Sequence, residues 1–152
     1  MDAVNLKAKI REIPDWPQKG VGFKDITPLL EDADCFKFIV DRLAGFFADK
    51  EVKKVVGIDA RGFLLASAVA YKLGVGVAIV RKKGKLPHET IAREYELEYG
   101  SNIIEMHKDA IQPKEKVVII DDVLATGGTA KATADLVESL AGDIVGFGFL
   151  ID

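Results

Sequence analysis

Two adjacent acids, Asp121 and Asp122, end an apolar run and precede a short loop of small and hydroxylated residues. Carboxylates accept hydrogen bonds, so this pair can bind the vicinal hydroxyls of a sugar. In the loop, residues 125–129, two glycines let the backbone turn its N–H groups inward, which forms a nest for phosphate oxygens. Helical apolar spacing begins at Ala130 and adds a helix N-terminus, whose dipole favours an anion. This order of residues predicts a site for a phosphorylated sugar.

The same stretch has a structural alternative, in which the acids are solvated at a strand end and the glycines form an ordinary turn. Spacing excludes two other phosphate-binding motifs. A Walker loop starting at Gly127 would need a glycine at Ala132. A dinucleotide fingerprint starting at Gly74 and Gly76 would need its third glycine at Ile79.

A second polar cluster, residues 59–62, separates a predicted strand over 52–58 from a predicted helix. Its arginine, Arg61, can clamp a pyrophosphate through charge-assisted hydrogen bonds at the helix N-terminus. The alternative is a surface ion pair between Arg61 and Asp59, which would be a common and weak interaction.

A basic run, residues 81–85, follows a third predicted strand over 75–80. Cations at a strand end suit a polyanion, although most such runs are solvated loops. We interpret Lys82 and Lys83 as solvated, and Lys85, next to a glycine, as the better ligand candidate.

A β-hairpin is predicted around Gly100-Ser101, which residues 91–99 and 102–106 flank. Polar and apolar residues alternate in these segments, so the hairpin should be amphipathic. We expect the segment 88–106 to move as a lid. One face carries Tyr95, Leu97 and Tyr99, and the other carries Glu94, Glu96 and Glu98.

The N-terminal part, residues 1–33, is predicted to hold a helix over 4–13 and an ordered, irregular arm over 14–28 that is rich in proline, glycine and aromatic residues. Its aromatic side chains, Trp16 and Phe23, either pin the arm by packing or stack on a flat base.

The remaining elements are predicted as scaffold. A helix over 34–47 should begin with Asp34 as its N-cap, and the helix after the acid pair should end at Gly142 as its C-cap. A last strand covers 144–151. The alternation of strands and helices from Val52 onward predicts an α/β fold with a mostly parallel sheet and helices on both faces. The three polar clusters should then lie along one edge of the sheet.

Composition narrows the functional classes. With 152 residues and 49% hydrophobic content, we predict a single domain over 1–152. The net charge of −3 comes from interspersed acids and bases, which argues against nucleic-acid or membrane partners. The lone Cys35 excludes an internal disulfide and a cysteine-rich zinc site, and is interpreted as a small residue on a helix face. The sequence lacks a membrane-length apolar stretch and a signal segment, so we expect a cytoplasmic protein.

Several segments together resemble the adenine phosphoribosyltransferases of the type I phosphoribosyltransferase family. Beside the acid pair and its loop, the similar segments are residues 20–28, 59–63, 81–87 and 97–100, so the resemblance covers nearly the whole chain. It implies the type I fold with a hairpin lid and an N-terminal hood. It also implies transfer of ribose 5-phosphate from phosphoribosyl pyrophosphate to N9 of adenine, which gives AMP and pyrophosphate in purine salvage.

The resemblance also implies roles for particular residues. Glu98 shares a proton with N7 of the base and is catalytic together with Asp121 and Asp122, which hold the ribose hydroxyls. The 5′-phosphate is bound by Ala125, Thr126, Gly127, Gly128 and Thr129. Pyrophosphate is bound by Asp59, Ala60, Arg61 and Lys85, with a cis peptide between Asp59 and Ala60. The base lies against Val21, Phe23 and Lys24.

Further implications concern partners. Mg²⁺ is expected to bind through phosphoribosyl pyrophosphate, without direct protein ligands, and the protein is expected to be a homodimer. Family members continue past the last strand with a Gly-Arg-Lys-Leu-like segment and a further strand, so we expect residues that close the base pocket and the sheet edge to be missing. Two alternatives stay open, namely a non-catalytic sensor of phosphoribosyl pyrophosphate or nucleotide, and transfer to another purine base.

Overall fold

The computed structural model describes residues 3–97, 100–125 and 127–151. The chain divides into two compact units, Met1–Arg42 and Leu43–Asp152. Their boundary falls inside one helix, α3, which spans Ala33–Phe47.

The first unit contains two short helices and a two-stranded sheet. Helix α1 covers Ala3–Lys9, strands β1 and β2 cover Arg11–Ile13 and Phe23–Asp25, and helix α2 covers Thr27–Glu31. The predicted helix over 4–13 is therefore too long. Its last residues pair antiparallel with β2, placing Ile13 opposite Phe23. A β-branched residue fits a pleated strand well, and this pairing outweighs the helical spacing of the apolar residues.

The arm between β1 and α2 is ordered, as predicted, but it is less irregular than expected because it contains β2. The Trp16 and Phe23 rings lie 4.5 Å apart at a tilt of 58°. Trp16 is half exposed, and the peptide between Trp16 and Pro17 is cis. The main-chain N–H of Gly20 donates to Asp15 Oδ1 at 2.8 Å and closes the turn. The two aromatic rings thus pack against each other within the arm.

Helix α3 is capped by Asp32 rather than by Asp34. Asp32 Oδ1 accepts a hydrogen bond of 3.0 Å from the main-chain N–H of Cys35, while Oδ2 lies 2.7 Å from Lys9 Nζ. Two hydrogen bonds, the larger effect coming from Lys9 and the smaller from the main chain of Cys35, lower the pKa of Asp32 to about 2. Both residues qualify as N-caps by type, and only the helix start distinguishes them. Cys35 is fully buried, which confirms its interpretation as a small helix-face residue.

The second unit is built on a six-stranded sheet with the order β5-β6-β4-β3-β7-β8. Strands β4, β3, β7 and β8 are parallel, and the hairpin β5-β6 joins β4 in antiparallel orientation. The mostly parallel sheet is confirmed. The strands are β3 Lys54–Ile58, β4 Gly76–Lys82, β5 Thr90–Leu97, β6 Gly100–His107, β7 Lys116–Val123 and β8 Asp143–Ile151.

Helices cover both faces of this sheet. The interior strand β7 is buried on both sides, and its four apolar residues from Val117 to Ile120 have no exposed surface. Helix α4, Arg61–Leu73, packs on β3 and β7 of one face, while α5, Gly128–Ser139, covers the other face with Leu136 and Val137 in the core cluster. Among the described residues, no helix is long and apolar enough to cross a membrane.

The end of α5 differs from the prediction. The helix ends at Ser139, Ala141 takes the left-handed conformation (φ 64°), and Gly142 is needed for close packing instead. A Cβ at Gly142 would lie 2.7 Å from Val137 Cγ1 and 2.8 Å from Ile111 Cγ2. Sequence alone does not separate these two uses of glycine, since both place it just beyond a helix.

Candidate active site

A cavity of about 240 Å³ lies where β3, β4 and β7 end, beside the hairpin β5-β6. Residues from all three predicted polar clusters line it, as expected for the carboxyl ends of neighbouring parallel strands. The walls are formed by Ile58, Asp59, Ala60, Arg61, Val80, Lys82, Tyr95, Asn102, Ile104, Asp121, Asp122, Val123 and Thr129.

The acid pair forms the buried floor of this cavity. Asp121 and Asp122 are only 9% and 6% exposed, and the main-chain N–H of Asp122 donates to Asp121 Oδ1 at 2.8 Å. Asp122 Oδ2 lies 2.8 Å from Arg61 Nε, which makes an ion pair. The same oxygen accepts no well-aligned hydrogen bond from the described residues. A buried acceptor of this kind is suited to a ligand hydroxyl.

Burial first, and then a hydrogen bond and charge repulsion from the neighbouring Asp122, together raise the pKa of the Asp121 carboxyl to about 8, although the Asp122 main-chain N–H and Arg61 act in the opposite direction. Two carboxylates in one poorly solvated place cannot both ionise easily. Near neutral pH, Asp121 therefore retains its proton for much of the time. The pair can then both donate and accept hydrogen bonds.

Gly62 allows α4 to approach this floor. A Cβ at Gly62 would lie 2.6 Å from Asp121 Oδ1, 3.3 Å from the main-chain oxygen of Ile120 and 3.4 Å from Asp121 Cα. Two of these three neighbours are main chain, which cannot move aside cheaply. The sequence analysis included Gly62 in the cluster but did not predict that it allows this close packing. The local sequence of one element does not indicate which other element will pack against it.

The turn before α4 contains a cis peptide between Asp59 and Ala60, which confirms the implication of the resemblance. The alternative for this cluster was an ion pair between Arg61 and Asp59. In the structure, Arg61 forms an ion pair with Asp122, and Asp59 Oδ2 accepts a hydrogen bond of 3.1 Å from Arg81 Nε. The Arg81 guanidinium also lies 5.9 Å from the centroid of the Phe63 ring.

The loop of small residues contains two residues in the left-handed conformation. Ala125 and Gly127 have positive φ angles of 50° and 84°, and Gly127 is the N-cap residue of α5. The helix begins at Gly128, two residues earlier than its apolar spacing indicated, and Thr129 in its first turn lines the cavity. Thr126, the other predicted hydroxyl ligand, lies outside the described residues.

The structure places the lysines of the basic run differently from the prediction. Strand β4 continues to Lys82, two residues further than predicted, and Lys82 lines the cavity. Lys85 follows a tight turn, is exposed, and is not among the residues that line this cavity. Strand ends are set by their partners, here the pairing of Lys82 with Ile104, and this pairing is not visible in the sequence.

The hairpin is confirmed, with Leu97 paired to Gly100, so Gly100 and Ser101 belong to β6 rather than to the turn. It supplies two cavity residues that the sequence did not single out as ligands. Tyr95 and Asn102 face each other across the strands, and Asn102 Nδ2 donates to the Tyr95 hydroxyl at 3.3 Å. The predicted catalytic residue, Glu98, lies outside the described residues.

The predicted base-binding residues belong to the first unit. Phe23 is partly buried beside Trp16, Val21 is partly buried, and Lys24 is exposed on β2. Their role in binding a base stays a prediction.

Comparison with known proteins identifies the family. A family model described as a phosphoribosyl transferase domain matches residues 30–152. The adenine phosphoribosyltransferase of Alkaliphilus metalliredigens is 54% identical over 149 residues, which cover 98% of this chain and 88% of that protein. The crystal structure of adenine phosphoribosyltransferase from Thermoanaerobacter pseudethanolicus matches with a TM-score of 0.94 at 50% identity, covering 98% of this chain and 87% of that chain. The enzyme from Saccharomyces cerevisiae, complexed with an imino-altritol bisphosphate and adenine, matches with a TM-score of 0.91 at 37% identity. The match covers 98% of this chain and 87% of that chain. The chain therefore belongs to the phosphoribosyl transferase domain family and, within it, to the adenine phosphoribosyltransferases.

Proposed function

We propose that this protein transfers ribose 5-phosphate from phosphoribosyl pyrophosphate to N9 of adenine, giving AMP and pyrophosphate in purine salvage. The observation that carries the proposal is the convergence of the acid pair, the Arg61 turn and the N-terminus of α5 on one cavity. These groups match the three polar parts of the sugar donor, namely its hydroxyls, its pyrophosphate and its 5′-phosphate.

The acid pair holds the ribose. Asp122 Oδ2 is buried and can still accept a hydrogen bond from a hydroxyl. Asp121 lies beside it, and the pKa of its carboxyl is raised. Positioning the ribose fixes C1′ between the departing pyrophosphate and the incoming base, and positioning of this kind supplies much of the rate of a group transfer. Residues 125–129 hold the 5′-phosphate at the positive end of α5.

The pyrophosphate lies against the turn of Asp59, Ala60 and Arg61 and against the basic loop with Lys82 and Lys85. In the transition state, the bond from C1′ to the pyrophosphate oxygen is breaking and negative charge builds on the leaving group. Cations that are already in place stabilise this charge. Arg61 leaves its ion pair with Asp122 to do so, and Asp122 then accepts from the sugar.

The site fits Mg²⁺ as a group that arrives with the substrate. Mg²⁺ would be held by the phosphates of phosphoribosyl pyrophosphate, because the two buried carboxylates, Asp121 and Asp122, are engaged with the ribose hydroxyls. Mg²⁺ commonly binds to substrate phosphates in sites of this kind. When bound, it neutralises charge on the pyrophosphate.

The base binds on the arm, against Phe23 with Val21 and Lys24 nearby, and Glu98 exchanges a proton with ring N7. Loss of that proton to Glu98 increases the electron density of the base for attack on C1′. The hairpin that carries Glu98 closes over the substrates and excludes water, which would otherwise hydrolyse the activated sugar. We further propose that the protein acts as a homodimer.

Product analysis tests this proposal. The protein is incubated with phosphoribosyl pyrophosphate, Mg²⁺ and adenine, and AMP and pyrophosphate are quantified by chromatography and an enzymatic phosphate assay. We expect equal amounts of both products. The variant Asp122→Asn keeps the shape of the side chain but loses its charge, and should lower kcat/KM for phosphoribosyl pyrophosphate about 10- to 100-fold. Pyrophosphate release without AMP, or tight binding of the sugar donor with no product, would instead indicate hydrolysis or a sensor.

A further inference from the structure

One acid of the hairpin, Glu105, joins the two ends of a loop that carries basic residues. Its Oε1 accepts a hydrogen bond of 2.8 Å from the main-chain N–H of Gly84, and its Oε2 accepts one of 2.9 Å from the hydroxyl of Thr90. Gly84 lies just past the end of β4, and Thr90 is the first residue of β5. A single carboxylate therefore holds both ends of the connection between these strands.

The hydrogen bonds around Glu105 define the shape of the basic loop, residues 82–85. The main-chain N–H of Lys83 donates to the oxygen of Ile103 at 3.0 Å, and that of Lys85 donates to the oxygen of Lys82 at 3.3 Å. Gly84 turns the chain with a φ of 87°. The bond to Glu105 fixes the middle of this turn, between the cavity residue Lys82 and the exposed Lys85.

Electrostatics alone would not favour an acid at this place. The hydrogen bond from Gly84, followed by that from Thr90, lowers the pKa of Glu105, so it is ionised at neutral pH. A negative charge close to a site for a polyanion weakens anion binding by repulsion. Any benefit of Glu105 to the binding of an anion must therefore come from the geometry that it imposes on the loop.

We propose that Glu105 is a positioning residue for pyrophosphate binding, which holds the loop 82–85 so that its lysines meet the leaving group. This inference rests on the proposed function. It assigns Glu105 no contact with the substrate, only contact with the main chain of the loop and with Thr90.

The test measures the affinity for pyrophosphate in the presence of Mg²⁺ by calorimetry, together with kcat and KM for phosphoribosyl pyrophosphate. We expect Glu105→Ala to weaken binding about tenfold and to raise KM similarly, with a much smaller change in kcat. Glu105→Gln keeps one acceptor oxygen and should recover part of the affinity. Glu89→Ala removes a negative charge from the same connection and serves as the control, with affinity unchanged or slightly improved.

The sign of the effect discriminates between the two physical accounts. If Glu105 acted only through its charge, Glu105→Ala would tighten pyrophosphate binding. Unchanged or tighter binding in Glu105→Ala overturns the proposal. Thr90→Val removes only one of the two hydrogen bonds, so it should weaken binding less than Glu105→Ala and provides a second variant with minimal risk to folding.

A double-mutant cycle tests whether Glu105 acts through the lysines. In a background of Lys82→Ala and Lys85→Ala, adding Glu105→Ala should cost no further affinity, because the loop then has no cations left to position. Full additivity would show a general structural role and overturn the proposal.

Hydrogen exchange of the loop gives a readout that is independent of activity. The amide of Gly84 should exchange at least about tenfold faster in Glu105→Ala, while amides of β7 stay protected. Unchanged exchange at Gly84 overturns the anchoring step. If the proposed function were wrong, the wild-type protein would form no AMP. The ratio of exchange rates between Glu105→Ala and wild type reports on the loop alone and does not depend on that result.

Discussion

The carboxyl of Asp121 has a different proton affinity from that of an ordinary aspartate because the fold buries it beside a second acid. Its pKa is raised from 3.8 to about 8. The sequence predicted two acids in a sugar site, but it could not predict this titration, since burial and the approach of α4 depend on residues 59 positions away in the chain. The same holds for Arg61, whose partner Asp122 is also far away in the sequence.

The raised pKa of Asp121 predicts how stability depends on pH in the ligand-free protein. The folded state binds this proton more tightly than the unfolded chain does, so the contribution of Asp121 to stability is full below about pH 4 and is lost as the pH rises through about 8. Urea unfolding of wild type and Asp121→Asn between about pH 5 and 9 tests this. The free energy of unfolding should fall with pH more steeply in wild type. Parallel curves for the two proteins would show that Asp121 ionises normally.

Glu98 is predicted to move a proton rather than to bind substrate. We expect Glu98→Gln to lower kcat about 100-fold while KM for either substrate changes by less than about threefold, because the amide keeps the shape but cannot exchange the proton. Steady-state kinetics with each substrate varied gives both quantities. Glu96→Gln, two residues earlier in the sequence, is the matched control and should behave as wild type. An unchanged kcat in Glu98→Gln would remove this residue from the mechanism.

At the scale of elements, the pattern of apolar residues predicted the type of most helices and strands of the second unit, and the sheet with helices on both faces. Local pattern was sufficient there because β7 has an unbroken apolar run from Val117 to Ile120 and α5 has regular helical spacing. It was insufficient at the ends of elements. Strand β4 extends to Lys82 and β1 replaces the end of a predicted helix, in both cases because a distant strand provides the hydrogen bonds.

The contact between α4 and β7 predicts the effect of a single methyl group. Gly62→Ala should destabilise the protein by about 1–3 kcal/mol, because the added Cβ would meet Asp121 and the main chain of Ile120. It should also weaken binding of phosphoribosyl pyrophosphate by displacing the carboxylate. Thermal and urea unfolding, together with calorimetric titration, would measure both effects.

Gly45→Ala provides the matched control for this substitution. Gly45 is exposed within α3, and an added Cβ would meet nothing within 4 Å. The change should be neutral or stabilising by up to about 1 kcal/mol, since alanine loses less conformational entropy in a helix. If Gly62→Ala were as well tolerated as Gly45→Ala, the close approach of α4 to the acid pair would not be required.

At the scale of the whole molecule, the proposal assigns the two substrates to two units. The second unit carries the acid pair, the Arg61 turn and the phosphate loop, while the first carries Phe23 and the rest of the arm. The residues proposed for the sugar phosphate lie within short segments, so sequence motifs were enough to propose them. The residues proposed for the base lie in an arm of mixed structure, and composition alone does not specify the few contacts on which base choice depends.

This division of roles predicts a selective effect of the arm. Phe23→Leu should raise KM for adenine about tenfold, since stacking of a base on an aromatic ring contributes about 1–3 kcal/mol. Affinity for phosphoribosyl pyrophosphate, measured by calorimetry, should not change. Phe23→Tyr keeps the ring and should keep the affinity for adenine. Equal losses for both substrates in Phe23→Leu would show that the arm supports the whole fold rather than the base.

A competition among bases tests directly whether the protein is an enzyme that prefers adenine. Wild-type protein is given phosphoribosyl pyrophosphate, Mg²⁺ and equal concentrations of adenine, hypoxanthine, guanine and xanthine, and the nucleotides formed are separated by chromatography. We predict AMP as the dominant product, with consumption of adenine equal to release of pyrophosphate. A dominant nucleotide of another base would contradict the assigned specificity, and the absence of any nucleotide would contradict the assignment as an enzyme.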